Sequence, residues 1–217
     1  MRQPMKNKRD PEGTRRRILD AATVEFHLGG LAGARIDGIA RRASTNERML
    51  YYYFGSKEQL FVAVLEETYD TFVAAQSALR LDDMPPVQAL TTFARFIWDY
   101  YRSHPEVVRL INNENLHQAR YLRQSRIRQC MAPVLSVLVG ILDRGAQAGV
   151  FRADVDALRC YVSISALGYY AVSNQYTLAE TIGRDVGLPE EQVLLVQQHI
   201  DMLLAYLCRG DAPAPAG

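Results

Sequence analysis

Apolar residues in this chain recur at three- and four-residue steps from Ile18 to Leu207, and no segment alternates convincingly enough to read as a strand. That periodicity constrains the fold most: it predicts an all-α protein whose helices each turn one stripe inward. Glycine and proline then punctuate the helices. Ile18, Leu19, Ala22 and Phe26 line a first helix, with Thr14 as the expected N-cap and Gly29-Gly30 as its stop. Short helices follow near 36–43 and 47–54. Gly55-Ser56 separates them from a longer helix opening at Lys57, with Leu60, Phe61, Val64, Leu65 and Thr68 on its buried side. Pro85-Pro86 marks the clearest later boundary. Beyond it, helical segments fall near 86–103, 105–114, 118–148 (interrupted around Pro133), 154–176 and 189–208.

Residues 1–13 are polar and aperiodic, and read as a flexible N-terminal arm; residues 210–217, rich in Ala and Pro, read as a disordered tail. Between them, 14–56 forms the expected first domain and 57–209 the second, with the helix at Lys57 as connector. Charge is divided along the same line. Residues 1–60 carry 12 Lys and Arg against 7 Asp and Glu, whereas residues 61–217 carry 13 against 17. A basic head on an acidic body points to a polyanion as partner of the head alone. No apolar stretch follows the basic start, so no signal peptide is expected, and the longest apolar run, Met131 to Leu142, falls short of a membrane span. Cys130, Cys160 and Cys208 have no paired spacing, which argues against a disulfide framework or zinc site and fits a reducing cytoplasm. No cofactor is expected.

The stretch from Ile36 to Phe54 has the spacing of a helix-turn-helix. Ala40 allows two helices to cross closely, Ser44 begins the turn, and Leu50 plugs the core with Ile39 and Phe54. Glu47, Arg48 and Tyr51 then share an exposed face, being three and four residues apart. Such a second helix, polar toward its N-terminus, is the piece that enters a major groove of double-stranded DNA. Asn46 is the expected cap of that helix and a further candidate DNA contact. Arg48 is the best base reader, because a guanidinium grips guanine O6 and N7 bidentately. Lys57 opens a helix whose N-terminal amides already favour an anion, so it suits a phosphate.

The run Leu50-Tyr51-Tyr52-Tyr53-Phe54-Gly55-Ser56-Lys57-Glu58-Gln59-Leu60-Phe61, preceded by the helix at Thr14–Ala22 and by Ile39-Ala40, resembles the signature of TetR/AcrR-family transcriptional regulators over roughly residues 14–65. The resemblance implies phosphate contacts from Tyr51 and Tyr53, with Tyr52 between them equally suited to packing inward. Three positions depart from the pattern: Arg35 replaces a Ser or Thr, so it can bind phosphate but not cap; Ser44-Thr45 replaces a Gly-Val pair; and Glu47 stands where a lysine is common, either accepting from a cytosine N4 amine or pairing with Arg48 or a neighbour.

For the body, the resemblance implies a helical domain that encloses a small-molecule effector and pairs two chains through its last two long helices. Leu158, Tyr161, Val162 and Ser165 on one helix and Val196, Ile200, Leu203, Leu204 and Leu207 on the last supply candidate homodimer residues. Completion of a single chain's core is the other reading of the same stripes. Candidate effector residues combine aromatic faces with amide and imidazole groups: Trp98, Tyr101, Asn113, His117, Tyr121, Tyr169 and Asn174. An aromatic or heterocyclic ligand fits such a set. The expected function is a dimeric repressor released from a palindromic operator by a small molecule, with an activator of the same fold, or a helical enzyme or ligand carrier, as alternatives. No nucleophile–base pair, metal-ligand spacing or phosphate-cradling glycine loop points to catalysis.

Overall fold

The first helix begins earlier than its apolar stripe suggests. In the computed structural model, which describes residues 10–208, α1 spans Pro11–Gly33 and is capped by Asp10, whose carboxylate accepts from the Gly13 amide at 2.9 Å. Thr14, the expected cap, lies within the first turn and donates its hydroxyl to the Asp10 carbonyl at 2.8 Å. Proline explains the correction: its fixed φ and missing N–H suit the first helical position, so Asp10-Pro11 makes the better start. The expected stop appears as a kink, with Gly30 leaving helical geometry at φ 60°. The remainder of the expected arm and the tail at 210–217 lie outside the described residues.

Two compact units emerge, each considered over its described residues: Met1–Glu67 with Asn113–Ser125, and Thr68–Asn112 with Arg126–Gly217. The first holds α1, α2 (Ile36–Arg42), α3 (Glu47–Phe54) and the beginning of α4 (Lys57–Ser77). Its core is Ile18, Phe26, Ile39, Leu50 and Phe61, each no more than 2% exposed, and the rings of Phe26 and Phe61 meet edge-on at 5.0 Å. The Asn113–Ser125 segment adds Tyr121, whose ring meets Phe61 at 5.4 Å. Burying side chains of this size stabilises by about 2 kcal/mol each.

The second unit is built on α5 (Pro86–Ser103), α7 (Ile127–Gln147), α8 (Ala157–Ser173) and α10 (Pro189–Leu207), with α6 (Pro105–Leu116) and α9 (Gln175–Ile182) as shorter members. Phe93, Ile97, Leu138, Ile141, Phe151 and Ile164 form the centre of its core. Gly145 lets the chain return across α7, since a Cβ there would sit 1.8 Å from the Phe151 ring.

Two boundaries differ from the periodic reading. The helix expected over 118–148 begins only at Ile127, because Gln118 and Ala119 both adopt φ 56° and turn the chain before it. Pro133 lies inside α7 without ending it. The segment expected over 154–176 ends at Ser173, and α9 follows as a separate helix. Contrary to the expectation from its longest apolar run, α7 has the length and composition of a membrane-crossing helix, at 21 residues and a mean hydropathy of 1.2. Here Val134, Leu138, Ile141 and Leu142 spend that apolarity on the core.

Candidate functional site

The face of α3 follows from where Leu50 and Phe54 point. Both are buried, so residues on the opposite side must be exposed. Glu47, Arg48, Tyr51 and Tyr52 form that outer side, with Tyr51 48% and Tyr52 76% exposed. Tyr52 is thus the outermost tyrosine, deciding between the two directions left open for it, while Tyr53 is half-buried with its ring edge-on to that of Tyr52 at 5.1 Å. Helical geometry supplies the reason: at about 100° per residue, position 52 lies about 200° from Leu50, whereas 53 lies one turn along and beside Phe54.

Both ends of α3 are held by local chemistry. The Asn46 side chain accepts from the Met49 amide at 3.1 Å, satisfying a donor the helix would otherwise leave open. Before it, Ser44 occupies the left-handed region at φ 52°, at a cost of about 1 kcal/mol for a residue with a Cβ. Gly55, at φ 78°, closes the other end, and its amide donates to the Tyr51 carbonyl at 2.9 Å. A Cβ on Gly55 would lie 2.0 Å from Gln59 Oε1. Ser56 then caps α4, its Oγ accepting from the Gln59 amide at 3.1 Å, and Lys57 stands half-buried at the first position of that helix. The Glu58 carboxyl is held below the usual carboxylate range, first by its own backbone amide and then by Ser56. An ammonium and a helix N-terminus therefore converge just after the tyrosine run.

Arg35 is exposed and makes no capping bond; its Nε donates to Asp37 Oδ1 at 3.0 Å. Arg41, which the sequence reading passed over, is exposed at the end of α2, 3.9 Å from Asp37 Oδ2. Its neighbour Arg42 donates instead to Glu25 Oε1 at 3.2 Å. The tandem Arg41-Arg42 was the available signal, but nothing in it says which of the two turns to Asp37 within α2 and which to Glu25 on α1.

The second unit contains a cavity of about 330 Å³ between α4, α5, α6, α7 and α8. Tyr101 and Tyr169, from the candidate effector set, are on its wall, with ring centroids 5.9 Å apart. Tyr69, Phe72, Ile111, Met131, Tyr161 and Ser165 complete most of the lining. The other candidates stand elsewhere. Trp98 is buried and donates its indole N–H to His199 Nδ1 at 2.5 Å. Asn113, in the first unit, packs close to Gly30. His117 is exposed, and Tyr121 belongs to the core of the first unit. Asn174 joins α8 to α9, its side-chain amide donating to the Tyr170 carbonyl at 3.2 Å. Residues 69, 72, 111 and 131 escaped sequence reading because they read as ordinary core stripe, with no polar mark to distinguish a hollow from a filled interior.

The candidate pairing residues divide. Leu158 and Val162 are exposed at 58% and 56%, and Val196 and Leu204 are half-buried. Ile200, Leu203 and Leu207 are at most 7% exposed and belong to the chain's own core, so they are corrected from pairing to core residues. Tyr161 and Ser165 line the cavity, and so does the exposed Val162. The stripe on α10 was real, but periodicity does not say which stripe of a helix apolar on two sides faces inward. Outside the core, α10 leaves Val193, Leu194, Met202 and Tyr206 each 55–62% exposed. The three cysteines are free, and burial pushes the Cys160 thiol up to about 11, leaving it protonated at neutral pH. No group of acidic, His and Cys side chains suited to a metal occurs among the described residues.

Comparison with known proteins matches both units. Residues 18–64 fit the model of bacterial regulatory proteins of the tetR family, and residues 86–203 fit a tetracyclin repressor-like C-terminal domain. The chain is 43% identical over 174 residues to the HTH-type transcriptional repressor NicS of Pseudomonas putida, covering 80% of this chain and 82% of that one. It is 40% identical over 103 residues to the HTH-type transcriptional repressor SCO4008 of Streptomyces coelicolor, 48% of this chain and 50% of the relative. Among solved structures, SCO4942 from Streptomyces coelicolor superposes with a TM-score of 0.67 at 25% identity, covering 87% of this chain and 97% of that one.

Proposed function

Because the chain belongs to the TetR family of DNA-binding transcriptional regulators, we propose that it is a cytoplasmic dimeric repressor that leaves a palindromic operator when a small molecule enters the cavity of its second unit. The exposed face of α3 carries this reading. Its Arg48 is placed to read a base, and Glu47 beside it to accept from a cytosine amine; Tyr51 and Lys57 contact phosphates on either side. Tyr53 and Arg35 extend the same backbone grip, and the exposed Tyr52 joins them. Asn46 serves the interface by fixing the start of α3.

Two chains pair through the outer faces of α8 and α10, where Leu158, Val193, Leu194 and Met202 leave aliphatic area in water. Pairing sets two reading helices about one DNA turn apart, matching a symmetric operator. The effector favours a conformation with a different spacing, carried by α4. DNA and effector are then reciprocally linked, and a coupling of about 1–3 kcal/mol is enough to empty the operator. The protein's work on this reading is binding rather than catalysis.

Sequencing the genomic fragments retained by the purified protein tests it directly. An inverted repeat overlapping a promoter is expected, and a reporter driven by that promoter should rise when the gene is deleted. A uniform spread of fragments, without an enriched repeat, would refute sequence-specific regulation; a reporter that falls on deletion would make the protein an activator.

A further inference from the structure

The cavity of the second unit has a chemical bias that the family assignment does not specify. None of its lining residues is Asp, Glu, Lys, Arg or His. Its polar groups are hydroxyls, from Thr68, Ser165 and the tyrosines 69, 101, 161 and 169. Burial pushes the Tyr101 and Tyr161 phenols well up from their ordinary range, with Ser165 drawing both partly back. Both phenols are therefore neutral O–H donors at physiological pH. Ser165 Oγ is itself buried and has no partner in good hydrogen-bond geometry. These three hydroxyls are one polar spot of the wall, on which Thr68, Tyr69 and Tyr169 carry the other hydroxyls. Tyr169 is differently employed, its hydroxyl donating to Asn112 Oδ1.

Building on the reading of this cavity as the effector site, we propose that its effector is uncharged: a planar aromatic or heteroaromatic molecule whose carbonyl, amide or ring-nitrogen acceptor takes hydrogen bonds from Tyr101, Tyr161 and Ser165. An anion entering the cavity would give up water for hydroxyl dipoles alone, and a buried charge without a countercharge is strongly disfavoured. A helix N-terminus could in principle supply the missing positive end. The one that contributes Val107 to the wall, that of α6, is already engaged: the Val107 amide donates to the His104 carbonyl at 2.9 Å, and Glu106 adds a negative charge to the same turn. A cation is no better served, since no carboxylate lines the wall. The flat group is held between the Tyr101 and Tyr169 rings and the apolar side chains of Ile111 and Met131, where stacking and dispersion act without regard to charge.

Matched amide and acid probes separate charge from shape. Binding of benzamide against benzoate, and of 2-naphthamide against 2-naphthoate, is measured by calorimetry on the full chain at pH 7.5. The amide of a pair should bind at least about tenfold more tightly than the carboxylate, a difference of about 1.4 kcal/mol. Tyr161→Phe and Ser165→Ala, which keep shape and remove one hydroxyl each, should weaken amide binding about two- to tenfold while leaving the melting temperature close to that of the parent. Equal or tighter binding of the carboxylates would overturn the uncharged-effector inference and leave the effector cavity standing. Amide binding unaffected by both substitutions would overturn the assignment of the hydroxyls. Failure of all four probes to bind would remove the cavity reading itself, and this inference with it.

Discussion

Helices α3 and α10 both expose large side chains, and they do so in different company. On α3, Tyr51 and Tyr52 stand in water beside Glu47 and Arg48, with hydroxyls and charges intermingled. On α10, Val193, Leu194, Met202 and Tyr206 stand out from a helix whose opposite side is sunk in the core. The first surface offers many polar contacts and modest apolar area, which suits a hydrated polyanion. The second offers aliphatic area that water solvates poorly, which suits another protein surface. Exposure alone therefore says little about function; the neighbours of the exposed group decide what it meets.

Charge placed on the outer side of α10 should have the largest effect. Met202→Asp is expected to raise the dimer dissociation constant by about 100-fold or more, since it buries an unpaired carboxylate on association. Sedimentation of a folded monomer would bear this out, and an unchanged dimer would move the pairing face elsewhere. Ile200→Ala, on the inner side of the same helix, should instead cost about 3 kcal/mol of folding stability in chemical denaturation. Dissociation without loss of stability would erase the distinction between the two sides.

On α3, Arg48→Ala should weaken binding to the cognate operator by about 30-fold, or about 2 kcal/mol, while leaving the dimer intact. Full retention in a mobility-shift assay would exclude a base-reading role. Lys57→Ala, at the start of α4, should weaken cognate and random DNA alike and reduce the salt slope of binding by about 1; an unaltered slope would count against a phosphate contact.

The smallest effect concerns His199, which is 2% exposed on α10 and accepts from Trp98. Burial lowers its pKa, with the Ser163 carbonyl partly opposing. The unfolded chain therefore takes up a proton near pH 6.5 while the folded chain does not. Stability from this residue is fully present above about pH 6.5 and declines as pH falls toward the folded value. His199→Gln should lose less in melting temperature between pH 7.5 and 5.5 than the parent. An identical loss would show that the imidazole is not kept neutral by the fold.

Much of the head was legible in the order of residues, because its signals are local. The 40/44/50 spacing, the Asn46 cap and the glycine break at 55 each act within a few residues, so the chain states them directly. Where a local competitor was overlooked, as with Asp10-Pro11 against Thr14, the correction is also local. Tyr52 is similar: its outward direction was implicit in Leu50 and Phe54, but three adjacent tyrosines disguised it.

The body obeys a different rule. Periodicity located α5 and α10 to within a residue, yet it gave no warning that α9 would split from α8 or that the chain would turn through Gln118 and Ala119 before α7. Nor could it separate the core residues Ile200, Leu203 and Leu207 from the exposed apolar residues of α10, because hydrophobicity measures the wish to leave water and not the direction taken. The cavity is the extreme case. Its walls come from five helices scattered between Thr68 and Tyr169; Tyr101 and Tyr169 stood out as effector candidates, Tyr161, Val162 and Ser165 read as pairing residues, and Tyr69, Phe72, Ile111 and Met131 read as core. Sequence alone determined an all-helical chain with a DNA-reading head, since those depend on patterns a few residues long; where the body stays hollow and which face remains bare were decided only when distant helices packed together.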